Sequence, residues 1–286
     1  MRAAFFPNNK EVATYTGELS CQLARTYRGD EMPGKLGLHN FYAKDRRIRL
    51  HLPPTTAFNR HSFFKFMNRY ASVFIKPNMS HMGKGIIKAW SEQNRYKVVK
   101  VKGDTRTFKQ LTSTYRAIRK MTTKDQYLIQ KTIHLATYHS RPYDIRVMMM
   151  RNARNEWQYA GMLAKVAGPS SVITNVNRGG GFALPIERAL GTSLGLSSRE
   201  KQKVMRQLID LSDRICKRFD RYKYSTQIGI DFGIDEHRRI WVIEVNFDYP
   251  SHGLFNKLKD KTMYRKIKSL RKSYLSSRYA RTRIKG

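Results

Sequence analysis

The chain has 286 residues, 40% of them hydrophobic, and sets 56 Lys and Arg against 21 Asp and Glu, a formal charge of +35 at pH 7. There is apolar material for one large or two modest domains, no run long enough to span a bilayer, and no secretory pattern in the opening MRAAFFPNNKEV, so a soluble cytoplasmic protein is expected. Cys21 and Cys216 belong to no CxxC or Cys/His cluster, which argues against a zinc site or a disulfide framework, and the charge surplus points to polyanionic partners such as nucleic acid or acidic peptide.

Residues 1–34 read as an N-terminal appendage ending in the loop Gly29-Asp30-Glu31-Met32-Pro33-Gly34. A helix is expected from Lys35 to Asp45, then extended backbone through His51-Leu52-Pro53-Pro54-Thr55. A second helix from Asn59 to Tyr70 would place Phe63, Met67 and Tyr70 on one face. ASVFIKPNMSHMGKGIIKAW reads as strand, loop and strand. Its Gly83 and Gly85 allow close approach of backbone to a ligand and Lys76 and Lys84 supply positive charge, as in a hairpin covering phosphates. It is not a Walker A loop, because no Gly-Lys-Ser/Thr opens a helix.

Strands are expected over 96–102, 127–133, 143–150 and 157–166, and a helix from Thr105 to Arg119. Alternation sets Met149 on the face opposite Met148 and Met150, the pattern of a core strand rather than a soft-metal cluster. Asn175 to Gly181 is a glycine-rich loop. Ser197 and Glu200 form a capping box that opens a helix whose apolar stripe is Val204, Leu208, Leu211, Ile215 and Phe219. Residues 228–234 and 240–245 read as a β-hairpin around a charged turn. In the strongly basic tail, Met263, Ile267, Leu270 and Tyr274 recur at helical spacing and predict an amphipathic helix on the body. The pattern is α+β, mostly antiparallel and two-layered.

In the hairpin, Glu244 and Asn246 share a face and Asp231 lies near the matching position of the other strand. Such a trio makes an all-oxygen site suited to magnesium. The alternative is that the carboxylates decorate an exposed face, although Glu244 between Ile243 and Val245 would be costly to bury unpaired. Arg146 would by itself read as a partner for Asp144 or another carboxylate, and His81, His139 and His252 as polar loop residues.

Four blocks in order, FIKPNMSHMGKGII, YLIQKTIHLATYHSRPYDIRV, VITNVNRGGGFALP and GIDFGID through IWVIEVNFDYPSHGLF, resemble the ATP-grasp superfamily, most closely the YheC/YheD family of endospore coat-associated proteins. The resemblance implies an α+β ATP-grasp fold, two subdomains with ATP between them. Its boundaries would be a leading segment at 1–57, a small lid subdomain at 58–130, a large subdomain with the metal site at 131–256, and a basic helix at 257–286.

The same resemblance implies an ATP- and magnesium-dependent (or manganese-dependent) carboxylate-amine ligase acting through an acyl phosphate, and the basic field of the chain points to an acidic peptide or protein as its substrate. The rival is a non-catalytic scaffold that binds a polyanion, either nucleic acid or an acidic coat protein. Residue by residue, Lys35 and Lys76 match nucleotide-binding lysines. Ser80, Lys84 and Gly85 lie in the lid, and Gln130, Lys131, Thr132 and Ile133 match the hinge whose backbone meets adenine. Asp144 is also placed at the nucleotide, and Gln130 stands where many relatives carry glutamate. Arg146 and Lys165 would offset charge on the transferring phosphoryl group, Lys165 standing where arginine is usual. Asn175 and Arg178 would line the acceptor side, with Asp231, Glu244 and Asn246 on the metal.

Overall fold

A computed structural model describes residues 34–80, 84–100, 103–122, 126–169, 180–247 and 250–284, with side chains as far as residue 277. Helix α1 (Gly34–Ala43) stops short of Asp45, because that side chain accepts from the backbone N–H groups of Arg47 and Ile48 and caps the single turn α2 (Arg46–Arg49). After strand β1 (Thr55–Ala57), Asn59 and Ser62 cap α3 (Arg60–Tyr70) reciprocally, at 2.8 and 2.9 Å. Strands β2 (Ser72–Pro77), β3 (Ile87–Glu92), β4 (Arg95–Lys100) and β5 (Arg106–Phe108), helix α4 (Leu111–Met121) and strand β6 (Tyr127–Lys131) complete the first unit.

Its sheet runs β1-β6-β2-β3-β4-β5, antiparallel throughout. Phe63, Phe66 and Met67 of α3 and Ile118 of α4 pack on Val73, Ile75 and Ile129, which occupy one face. The register pairs Phe74 with Gln130 and Lys76 with Leu128, so these four share the opposite face. The helix expected from Thr105 is instead a strand followed by a helix. Arg106 to Phe108 pair with β4, and the hydroxyls of Ser113 and Thr114 both donate to the Gln110 carbonyl, fixing the helix start there.

The second unit contains β7 (Thr137–Tyr138), β8 (Arg141–Arg151), β9 (Trp157–Val166), β10 (Phe182–Leu184), α5 (Ile186–Leu194), α6 (Ser198–Phe219), β11 (Gln227–Ile234) and β12 (Ile240–Asn246). The sheet order is β10-β9-β8-β11-β12, with β7 paired to β8. The expected Ser197–Glu200 box opens α6, and Leu208, Leu211, Ile215 and Phe219 pack on Val147, Met149, Ile230 and Phe232. Met148 and Met150 point the other way, into a separate core closed by Leu254 and Phe255 of α7 (Gly253–Asn256), Leu258 after it, and Ile267 of α8 (Thr262–Ile284). This unit therefore has three layers rather than two, because β8 is apolar on both faces and a single helical layer would leave one exposed.

The units are joined along β12, an outer strand of the second sheet. His51 accepts from the Val242 N–H at 2.8 Å, and its ring nitrogen Nδ1 lies 2.8 Å from the Ile240 carbonyl. The Lys131 ammonium sits between the rings of Tyr70 and Trp241, at 5.6 and 5.8 Å from their centres. No helix among the described residues is long and apolar enough to cross a membrane.

Gly161 is the seat of α8: a Cβ there would lie 2.9 Å from the Met263 Cβ. Gly161→Val is expected to cost about 1–3 kcal/mol by overpacking. A thermal-unfolding midpoint unchanged from wild type would show that α8 does not rest on this position.

Candidate functional site

The hairpin is built around one extra residue. Asp231 pairs with Glu244, but Phe232 pairs with Val242, leaving Ile243 without an opposite number. Unbroken alternation from Ile240 would put Glu244 and Asn246 on the same face as Val242, in the core. The bulge shifts the phase. Ile240, Val242 and Val245 all join the core beneath α6, while Glu244 and Asn246 share the Asp231 face. The uninterrupted apolar run Trp241-Val242-Ile243 was the available signal for this, and the period-two reading passed over it.

Beneath that face lies a buried cluster of four charges, Asp144, Arg146, Lys165 and Asp231. Arg146 stands across from Asp231 in the β8–β11 register and Lys165 across from Asp144 in the β8–β9 register. Arg146 grips Asp231 with both arms, Nε to Oδ1 at 2.5 Å and Nη2 to Oδ2 at 2.9 Å. The Lys165 ammonium lies 3.0 Å from an oxygen of Asp231 and 3.0 Å from one of Asp144. Gly229 makes the room, since a Cβ there would meet Arg146 Nη1 at 3.2 Å and Pro250 at 2.8 Å. Burial opposes ionisation of Asp231, yet Arg146 and then Lys165 outweigh it and hold the carboxyl at about 2. Burial likewise works against Arg146 and Lys165, and the facing carboxylates overcome it, raising both.

A second group comes from the first unit. The Lys76 ammonium donates to Gln130 Oε1 at 2.6 Å, and the same amide's nitrogen donates to Thr55 Oγ1 at 2.9 Å. Burial, aided by the charge of Lys35 and opposed by Glu244, brings Lys76 down to about 8. Lys35 is lowered too, mainly by burial, and its ammonium donates to the Ser80 carbonyl while standing 3.9 Å from Glu244. Glu244, with 41% of its side chain exposed, is thus where the two groups meet.

Asn78 was not foreseen. Its carbonyl and side-chain oxygens accept from the first backbone N–H groups of α1, at Lys35 and Leu36 (3.0 and 2.9 Å), and so aim Lys35. Only a lid residue capping a helix far away in sequence does this, and no local pattern announces it.

Of the other expected site residues, Ser80 Oγ donates to the Lys84 carbonyl at 2.8 Å, and Gly85 has φ 74 with Pro77 where a Cβ would stand. In the hinge, the N–H groups of Lys131 and Thr132 donate to Pro54 and Ser72 carbonyls, and Thr132 Oγ1 accepts from Ser72 Oγ at 3.0 Å. Ile133, half-buried, follows them. His252 Nε2 is 2.6 Å from Gln227 Oε1, at the start of β11, and its pKa is lowered by burial and then by Arg271 and Lys268. Asn175, Arg178 and His81 lie outside the described residues, as does Cys21, whereas Cys216 is a buried free thiol.

Among the described residues no group of three or more His, Cys, Asp or Glu is placed to hold a metal. The trio differs in having an amide as third member: Asn246 Nδ2 lies 3.4 Å from Asp231 Oδ2, and Glu244 is in register with Asp231. These are oxygen donors only, with Glu244 open to solvent, so the set fits a hard divalent cation in donor type.

Two antiparallel α+β units, one presenting lysines and the other carboxylates to the space between them, form the ATP-grasp architecture. The sequence matches the model of YheC/D like ATP-grasp proteins over residues 26–277, and the chain belongs to that family. It is 24% identical over 236 residues to endospore coat-associated protein YheD of Bacillus subtilis (strain 168), covering 78% of this chain and 49% of that protein. With YheC of the same organism it shares 22% over 224 residues, 76% of this chain and 60% of that one. The chain thus spans about half the length of the curated relatives it matches. Similar solved structures include D-alanyl-alanine synthetase A from Vibrio cholerae O1 biovar eltor, 11% identical over 85% of this chain and 65% of that one, TM-score 0.49. N5-carboxyaminoimidazole ribonucleotide synthetase from Thermotoga maritima gives 10%, 83%, 48% and 0.44 respectively.

Asp231→Asn would leave Arg146 and Lys165 with too little counter-charge, at an expected cost of about 3–5 kcal/mol in denaturant unfolding. The sign with pH follows from the depressed carboxyl. Its contribution is full above the unfolded value of about 3.9 and disappears as pH falls through about 2. The wild type should therefore lose stability over that interval, and the variant should lose distinctly less; parallel acid limbs in the two proteins would count against the assignment.

Proposed function

We propose that the chain is an ATP-dependent carboxylate-amine ligase. The observation that carries the reading is the meeting at Glu244 of the buried Asp144–Arg146–Lys165–Asp231 cluster with the Lys35–Lys76–Gln130 group. Phosphoryl transfer demands positioning and charge neutralisation above all, and these side chains are held by the protein before any ligand arrives. Lys76, aimed by Gln130, and Lys35, aimed by Asn78, would hold the nucleotide phosphates. Ile133, the hinge residue whose N–H has no protein partner among the described residues, would offer its N–H to the adenine edge.

A divalent cation held by Glu244 and Asn246, with Asp231 as third oxygen donor, would supply charge neutralisation between the phosphates. Arg146 and Lys165 would steady the transferring group from below. In the reaction a substrate carboxylate oxygen takes the γ-phosphoryl group as ADP leaves; an amine then attacks the acyl carbon and phosphate departs. Lys165, standing where arginine is usual, keeps a positive charge 3.0 Å from both Asp144 and Asp231. Arg178 and Asn175 complete the proposal on the acceptor side. An acidic peptide or protein is the substrate class favoured by the charge of +35, and association with the endospore coat is carried over from the names of the relatives.

A second reading, a scaffold that binds a polyanion without catalysis, draws on α8, where Arg265, Lys266, Lys268, Arg271 and Lys272 are exposed and no carboxylate occurs within the helix. Incubation with ATP, magnesium and pooled amines and acidic peptides separates the two. ADP release with new mass adducts supports the ligase, and its absence alongside salt-sensitive polyanion binding supports the scaffold.

Magnesium-ATP is expected to raise the thermal midpoint of the wild type, and Glu244→Ala to abolish most of that rise; equal shifts in both would sink the metal assignment. Because Lys76 loses its proton above about 8, nucleotide affinity should fall as pH rises through that value. Titration calorimetry from pH 6.5 to 9.5 measures this, and a flat profile would remove Lys76 from the phosphates.

A further inference from the structure

A groove of about 530 Å³ lies between α1–α2 and α3 and against β1, and none of the residues placed at the nucleotide or the metal lines it. Arg49 lines it from α2, and Lys65 and Arg69 from α3, all three exposed, with no Asp or Glu in its lining. The bias begins in the sequence, where no carboxylate occurs between Asp45 and Glu92. A neighbouring concavity of about 660 Å³ shares His61 and Lys65, so the two form one trough along α3.

Three features narrow the occupant. First, His61, Lys65 and Arg69 recur every four residues, about 6 Å apart along a helix axis. Alternate side chains of an extended peptide are about 6.6 Å apart, close to the same repeat. Second, Thr55 and Thr56 of β1 form a wall of the groove, and β1 is the outermost strand of its sheet among the described residues. An extended chain lying in the groove would run beside that edge. Third, the ring faces at the trough already carry cations: Arg60 lies 5.6 Å over Phe64, Arg69 5.4 Å over Tyr70, and Lys131 5.6 Å over Tyr70. That disfavours base stacking, the usual anchor of single-stranded nucleic acid.

We propose that this groove docks an extended acidic polypeptide segment with carboxylates at alternate positions, laid along the β1 edge with its acidic side chains on Arg49, Lys65 and Arg69. The proposal deepens the peptide-ligase reading by giving the peptide a place beside the residues proposed for the nucleotide. Thr55, which lines the groove and also bonds the Gln130 that aims Lys76, connects the two regions.

The test is fluorescence anisotropy on the full chain, without nucleotide, using a labelled alternating Glu-Ser octapeptide and an oligothymidylate of equal charge. Lys65→Glu/Arg69→Glu is compared with Lys266→Glu/Lys272→Glu on α8, which changes the net charge equally, and Arg49→Ala serves as a milder groove variant; circular dichroism checks that all are folded. The groove pair should weaken peptide binding by about tenfold or more and the α8 pair by less than about threefold. Equal weakening by both pairs, or no binding to the wild type, overturns the proposal, and so does tighter groove-dependent binding of the oligonucleotide, which would assign the groove to nucleic acid. Since no ATP is present, loss of peptide docking leaves the nucleotide reading untouched. Loss of magnesium-ATP stabilisation leaves the groove standing.

Discussion

Asp231 held between Arg146 and Lys165 is the contact around which the second unit is organised. Taking four charged groups out of water costs several kcal/mol for each ion, and only mutual pairing at hydrogen-bond distance offsets it. Every strand that contributes is therefore fixed in register: β8 by Arg146 and Asp144, β9 by Lys165, β11 by Asp231. A one-residue slip of any of them would set a lone charge among the methionines or beneath α6. Apolar residues of equal volume would hold the sheet as well, so packing alone does not account for the charges.

The first unit solves a different problem. The charge of its lysines is only partly balanced by protein. Gln130 aims Lys76 without neutralising it, whereas a glutamate there would form an ion pair and hold the proton more tightly. Asn78 places Lys35 through the backbone of α1 rather than through the ammonium, which leaves that head to reach Ser80 and Glu244. Both ammonium groups are thus oriented by the protein without being fully neutralised.

What was legible in the sequence was local. The Ser197–Glu200 cap, the alternation of Met148, Met149 and Met150, the hairpin and the apolar side of α8 each depend on neighbours within a few residues, and the structure has all of them. The spacing of Asp231, Glu244 and Asn246 was visible for the same reason. What escaped depends on contacts made across the fold. Arg106 to Phe108 become a strand because the edge of β4 is there to receive them, and Asn78 caps a helix more than forty residues away. The double hydrogen bonding of Gln130 requires Thr55 and Lys76 on either side, which only the order β1-β6-β2 supplies.

The bulge at Ile243 makes the direction of Glu244 and Asn246 a matter of pairing rather than of side-chain identity. Phe232 pairs with Val242 and Asp231 with Glu244, so Ile243 takes up the one residue by which β12 exceeds β11 between these pairs. Straightening the bulge at constant length would keep every side chain, the hairpin and its turn, yet turn the pair toward α6, whereas deleting Ile243 would leave the same two pairs in an unbroken ladder with Glu244 still facing Asp231. The pair can thus be turned away with every one of its own residues still present, by a slip of register that residue identity would not reveal.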